Sequence, residues 1–463
     1  MQSLRQALRS LGAARLRVVD LTTGDILRVG RGATCGRAGF GGRNIVKRNV
    51  YTGVGICSLA LALAIASVEI KQRSIVDAAN VTAPKFEVDP FWPKPLPNHW
   101  IIGQTIGLSV DKNDHVWIIH RPGSLEPKES YLATNSAECC IAAPDVLEFD
   151  QAGTLLHHWG KSEGHDWPTS NHGITVDDKG NVWLGGNGAG QGQAAAAARG
   201  PAPAANAPEA GVARGSGMYH DSFILKFTQD GKFLGEIGGA NASKGSSDKE
   251  SVRGVAQIRI DPKTNELFAA DGYGNKRVSV WDTETLKYKR HWGAYGKTPD
   301  DANPGPYNPS APVAQQFRNP VHCAQLSNDG MVYVCDRVND RIQIFKEDGT
   351  FVKEVFVAKD TRGDGSAWEI AFSRDPAQRF MYLADGANEK IHVFARESMT
   401  EIYSFGDGGR QPGQFYAVHS IATDSKGNLY TTETYRGQRV QRFLYKGMGP
   451  VEGNAGVPWP GKK

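Results

Sequence analysis

Cysteine is scarce: six residues in 463, none with the C-x-x-C spacing of a structural zinc site or a redox motif. That excludes a disulfide-stapled scaffold. Cys139 and Cys140 are adjacent, and Cys323 and Cys335 fall in one predicted hairpin. These four are read as structural, with a vicinal 139–140 bridge as the alternative, while Cys35 and Cys57 belong to the N-terminal region. A surplus of one charge is also missing. The chain has 53 Lys/Arg against 49 Asp/Glu, and the basic excess is confined to residues 1–81, which hold twelve Lys/Arg and four Asp/Glu. Residues 82–463 carry 41 Lys/Arg and 45 Asp/Glu, so no nucleic-acid partner is expected. At 40% hydrophobic and 22% charged residues, wholesale disorder is excluded as well.

Long apolar runs are absent but for one, "VYTGVGICSLALALAIASV" at 50–68, preceded by the basic "RNIVKRN". A positive segment, an apolar run and the small residues Ala62, Ala64 and Ala66 describe an export signal; the run also approaches the length of a membrane anchor. Residues 1–49 are thus a basic extension, and 50–70 a cleaved signal or a retained anchor. The protein is expected to be exported, to the periplasm or the exterior.

From residue 83 onward one pattern recurs six times. An apolar strand leads into an Asp/Asn/Gly turn, a second strand follows, then a polar corner and a third strand ending in an aromatic. The copies begin at "IGLSVDKNDHVWIIH", "HGITVDDKGNVWLGG", "AQIRIDPKTNELFAAD", "HCAQLSNDGMVYVCD", "WEIAFSRDPAQRFMYLAD" and "HSIATDSKGNLYTTE". Fourth strands follow five of them. The pattern predicts an all-β, six-bladed β-propeller of NHL-like repeats over 83–447, followed by a tail at 448–463. The sixth copy lacks a fourth strand, which the segment around Phe86–Phe91 can supply. An Ala/Gly/Pro-rich insertion at 188–217 interrupts the second copy and reads as a flexible surface loop.

Aligned, the first inner-strand position of each copy reads Ile106, His172, Ala256, His322, Trp368, His419. The histidines occupy every other copy. In a six-bladed ring, alternate blades are related by about 120° and their first strands line the channel. Three imidazoles then converge at one depth, the ligand set of an open, catalytic zinc site. A lone strand histidine is usually structural; three in register are not, and the other nine show no such register. At the second-strand ends stand Arg121, Tyr273, Arg337 and Tyr435, candidates for carboxylate binding and proton transfer. Asp271, Asp336 and Asp385, with Arg277, Arg341 and Arg439, recur in the corners and read as scaffold.

The segments "GYGNKR", "FRNPVH" and "DRVNDRIQIF", within about residues 100–445, resemble the catalytic core of peptidyl-α-hydroxyglycine α-amidating lyase (peptidylamidoglycolate lyase), a six-bladed propeller. The resemblance implies a zinc on His172, His322 and His419, a carboxylate-binding Arg121, a catalytic Tyr273 and an active-site Arg337. It implies cleavage of an N-acyl-α-hydroxyglycine to an amide and glyoxylate by a monomer acting on a small-molecule or peptide substrate with a carboxylate. Two positions depart from the family. Ser420 stands where its structural calcium takes an Asp, so calcium is disfavoured, and Gly274 stands where it has a disulfide Cys. Two alternatives remain open at this level. One is a non-catalytic propeller that binds a protein or peptide, which needs no histidine register. The other is a metal-dependent hydrolase or lactonase, which usually takes a Glu/Asn/Asp channel set that this sequence does not offer.

Overall fold

The hairpin turns carry the local logic of the fold. Asp177 accepts the backbone N–H groups of Lys179 at 3.0 Å and Asn181 at 2.8 Å, while Gly180 takes φ +83°. Its second oxygen accepts the Trp183 indole N–H at 2.9 Å. Asp111 does the same for Asn113, His115 and Trp117, and Asp424 for Lys426, Asn428 and the Tyr430 hydroxyl. An Asp side chain that closes its own turn and pins an aromatic six residues on fixes turn, register and core in one motif.

In the computed structural model, residues 82–188 and 220–451 are described. They form six four-stranded antiparallel sheets. Blade one is Gln104–Val110, Val116–Arg121, Val146–Phe149 and Leu155–Trp159. Blade two is Asn171–Val176, Val182–Gly186, Phe223–Phe227 and Phe233–Gly238. Blade three is Val255–Asp261, Glu266–Asp271, Arg277–Asp282 and Tyr288–Trp292, and blade four Val321–Leu326, Met331–Asp336, Arg341–Lys346 and Phe351–Phe356. Blade five is Glu369–Phe372, Phe380–Asp385, Lys390–Ala395 and Thr400–Phe405. Blade six is Val418–Thr423, Leu429–Glu433 and Arg439–Pro450, and it takes its outer strand from Thr82–Asp89. The fold is therefore an all-β six-bladed propeller. The closing strand runs antiparallel from Thr82 opposite Pro450 to Asp89 opposite Arg442, a few residues earlier than the sequence suggests; Phe91 lies beyond it, exposed.

The core lies between blades. Ile106, Trp117 and Val146 of blade one pack on Ile174, Leu184 and Phe223 of blade two, all buried. Phe86 and Val88 of the closing strand join Tyr382 and Phe405 of blade five and Phe443 of blade six. Each such side chain contributes about 1.5–3 kcal/mol when removed from water. The corner residues are scaffold: Arg277 pairs with Asp271, Arg341 with Asp336 and Arg439 with Glu433, each at 2.8 Å. Blade five uses His392 with Asp385 instead, at 3.1 Å.

Cys139 and Cys140 are joined, and so are Cys323 and Cys335 across the first two strands of blade four. The second bridge was not anticipated. Its signal lay in the hairpin: counting outward from the "SNDG" turn sets Cys323 opposite Cys335. A cross-strand disulfide fits an oxidising compartment. Among the described residues no helix is long and apolar enough to cross a membrane. The apolar run at 50–68, the 188–217 insertion apart from its first residue, and the tail after residue 451 lie outside the described residues.

Candidate active site

Five of the six first strands carry a β-bulge near their start. In blades one, three and four the pairing skips one residue, and the skipped residue is Ile106, Ala256 or His322. In blades two and six it skips His172–Gly173 and His419–Ser420. A bulge re-aims the extra residue's side chain. Each histidine thereby leaves the plane of its blade and points at the axis. One nitrogen from each of His172, His322 and His419 lies within 4.8 Å of the other two, and all three residues are buried. Ring centroids are 5.2 Å apart for His172 and His322, and 4.8 Å for each with His419.

The tautomers follow from the partners. His172 Nδ1 is 2.7 Å from the Ala256 carbonyl and His322 Nδ1 is 2.8 Å from the Trp368 carbonyl. A carbonyl only accepts, so both Nδ1 atoms carry the proton and both Nε2 atoms present lone pairs. Gly173 permits the first of these bonds, since a Cβ there would stand 2.8 Å from the Ala256 oxygen. Burial lowers all three imidazole pKa values well below the ordinary range, and the Arg121 and Arg337 guanidinium groups add to this at His172 and His419. At His322 the second cause is Arg337. Both effects favour the neutral ring, the form in which imidazole binds a metal.

These residues fit a divalent metal. His419 Nε2 is buried with no hydrogen-bond partner, an arrangement that costs free energy unless something fills it. Three neutral imidazoles are a donor set that zinc and other divalent transition metals take.

Tyr273 stands over this cluster. Its hydroxyl is 3.0 Å from His172 Nε2, 3.2 Å from His322 Nε2 and 3.3 Å from an Arg337 terminal nitrogen. Arg337 is buried, with its guanidinium 4.4 Å from the Trp368 ring centroid and 3.9 Å from the Asp364 carboxylate. Asp364 also accepts the Tyr435 hydroxyl at 2.8 Å. Arg121 is held as a fork, donating to the Asn171 carbonyl at 3.0 Å, to Gln104 at 2.8 Å and to Asn187 at 3.0 Å. The structure thus brings Tyr273 and Arg337 against the three histidines and sets Arg121 beside Asn171, the neighbour of His172.

Sequence reading missed Gln104, Asn187 and Asp364, the groups that hold the two arginines. Asn187 had a signal: it follows Leu184 by three, as Arg121 follows Ile118, at equivalent places in the pairing. Asp364, in an interblade loop, had none.

No protein-family model matches the chain. It is 24% identical over 259 residues, 55% of its length, to peptidyl-glycine alpha-amidating monooxygenase A of Xenopus laevis, covering 23% of that protein. It is 25% identical over 261 residues to the peptidylglycine alpha-amidating monooxygenase of Rattus norvegicus, 55% of this chain and 22% of that one. To peptidyl-alpha-hydroxyglycine alpha-amidating lyase 1 of Drosophila melanogaster it is 22% identical over 383 residues, 77% of this chain and 59% of that protein. The chain spans under a quarter of the length of the frog and rat relatives. Among solved structures, a streptogramin B lyase aligns with 80% of this chain and 99% of its own at 12% identity and a TM-score of 0.43. The sequence matches make the chain a distant homologue of an amidating lyase and of amidating monooxygenases.

Proposed function

We propose that this homologue of peptidyl-α-hydroxyglycine α-amidating lyase is itself a metal-dependent carbon–nitrogen lyase, splitting an N-acyl-α-hydroxyglycine-like substrate into an amide and glyoxylate. The observation that carries the reading is the Tyr273 hydroxyl, within 3.3 Å of two axial histidines and of Arg337. A binding platform has no need of a phenol and a guanidinium set against a convergent histidine cluster.

His172, His322 and His419 would hold the metal, and a bound zinc supplies Lewis acidity toward a substrate oxygen. The chain's own groups do the rest. Arg121, fixed by Gln104, Asn171 and Asn187, orients the substrate carboxylate. Tyr273, as phenolate, takes the proton from the α-hydroxyl, and Arg337 lowers the cost of the anionic phenol. The C–O bond becomes the carbonyl of glyoxylate as the C–N bond breaks, and the departing nitrogen takes up the proton that the hydroxyl lost. No oxidation state changes. The Trp368 face and the buried setting of Arg337 keep water from competing for the guanidinium.

The test is glyoxylate release from N-benzoyl-α-hydroxyglycine by the full-length, zinc-loaded chain. Saturable release abolished by a chelator supports the lyase. A folded, metal-loaded protein that releases none sinks this substrate class, and a folded protein that takes up no metal sinks the whole reading. We further read the protein as exported, in keeping with the disulfide of blade four.

A further inference from the structure

Two of the three histidines obey the pseudo-threefold symmetry of the ring in how they are held, and the third does not. His172 of blade two bonds the carbonyl of Ala256 in blade three, and His322 of blade four bonds that of Trp368, which leads into blade five. The same rule would set His419 of blade six on the carbonyl of Ile106 in blade one. Instead His419 Nδ1 is 3.2 Å from Ser420 Oγ, and it is Ser420 Oγ that reaches the Ile106 carbonyl, at 3.1 Å. The Glu369 carboxylate, paired with Arg259 at 2.9 Å, also faces this hydroxyl. Both Ser420 and His419 are buried.

We infer that the Ser420 hydroxyl is a relay that positions His419, a role that rests on reading the three histidines as a metal site. Neither the Ile106 carbonyl nor the Glu369 carboxylate paired with Arg259 has a proton to give, so the one hydrogen of the Ser420 hydroxyl goes to one of these acceptors and its oxygen must accept from the imidazole. That fixes the proton on His419 Nδ1 and leaves the Nε2 lone pair at the axis, where it has no partner of its own. The relay reproduces, through one extra atom, what direct carbonyl bonds do for His172 and His322. Groups that fix a ligand imidazole's tautomer and orientation typically govern metal affinity by about 10–100-fold.

The experiment compares wild type, Ser420→Ala and Ser420→Thr in full-length protein. Imidazole 15N shifts of His419 are read in the metal-free state, and zinc affinity by competition with a chromogenic chelator. The wild type and the threonine variant should show His419 protonated at Nδ1. The alanine variant should show a mixture of tautomers and a zinc Kd raised about 10–100-fold in a protein that still folds with a modestly lowered Tm, with threonine restoring the affinity. A His419 protonated at Nε2 in metal-free wild type overturns the relay without any variant. An alanine variant with unchanged tautomer and unchanged Kd overturns it too. Wild type that takes up no zinc would instead refute the metal reading, and the tautomer comparison would still decide the relay.

Discussion

Replacing Tyr273 by Phe removes one oxygen and leaves the ring, whose centroid lies 4.9 Å from that of His172 and 5.8 Å from that of His322. The lost hydroxyl has three neighbours at 3.0, 3.2 and 3.3 Å. Its hydrogen can serve only one of the two imidazoles, while its oxygen accepts from Arg337, so the cost in stability is that of two modest hydrogen bonds, about 1–3 kcal/mol. The cost in catalysis is much larger if the phenol moves the proton: general-base groups contribute about 10²–10⁴-fold. At 1.36 kcal/mol per decade that is about 2.7–5.5 kcal/mol of barrier. Binding should hardly change, since the carboxylate is assigned to Arg121. Zinc affinity should hold or rise, because the phenol no longer competes for the Nε2 lone pairs of His172 and His322. Glyoxylate release would therefore fall at least about a hundredfold in kcat with KM within a few-fold, while Tm and metal content stay near wild type. A Phe variant that turns over within about fivefold of wild type refutes the proton-transfer role, since that leaves about 1 kcal/mol for the hydroxyl to supply. Loss of zinc in the variant would show that Tyr273 belongs to the metal site rather than to the chemistry.

Three further outcomes are expected. His322→Ala should abolish stoichiometric zinc uptake, measured by elemental analysis of dialysed protein; retained metal refutes the three-histidine site. Arg121→Lys keeps the charge but loses the fork that reaches Gln104, Asn171 and Asn187, so kcat/KM should fall about tenfold or more, chiefly through KM, with little effect on zinc. His392 reports on the scaffold through pH. Burial by itself would lower its pKa, but bonds to Asp385 and Glu401 outweigh that and raise it from 6.5 to about 9. Its stabilisation is complete below about pH 6.5 and is lost as pH rises through about 9. Urea unfolding of His392→Gln should then lose less stability than wild type between pH 7 and 9; parallel losses would refute the assignment.

The fold was legible because three of the six blades repeat one local mechanism. An Asp that closes its turn and catches an aromatic six residues later leaves the same signature at Asp111–Trp117, Asp177–Trp183 and Asp424–Tyr430. The closing strand was legible through an absence, the fourth strand that the last copy lacks. What stayed hidden was longer in range. Asp364 meets Arg337 and Tyr435 from an interblade loop, where neither period nor turn chemistry constrains the chain. The bulges were hidden for another reason: strict alternation would put His172 and Ile174 on the same face of blade two, and only the two-residue skip in the pairing separates them.

The alternation of the histidines has a structural basis that the residues between them conceal. Ala256 and Trp368 occupy the bulge position or its equivalent in blades three and five, and each gives its carbonyl to the histidine of the preceding blade. Ile106 gives its carbonyl to His419 through Ser420. Blades two, four and six thus supply side chains to the axis, and blades five, three and one supply the backbone that orients them. This division needs an even number of blades and three of each kind. It also frees the holder positions to be apolar, since they act through a carbonyl that every residue possesses. One of them has gained a second use: the Trp368 ring carries the Arg337 guanidinium on its face while the Trp368 backbone holds His322. Replacing Trp368 by Leu would keep the carbonyl and remove the ring, which also packs edge-on against His322 at 5.7 Å and His419 at 5.4 Å. Zinc affinity should survive that change while turnover falls, because Arg337 loses its support and the His322 tautomer does not.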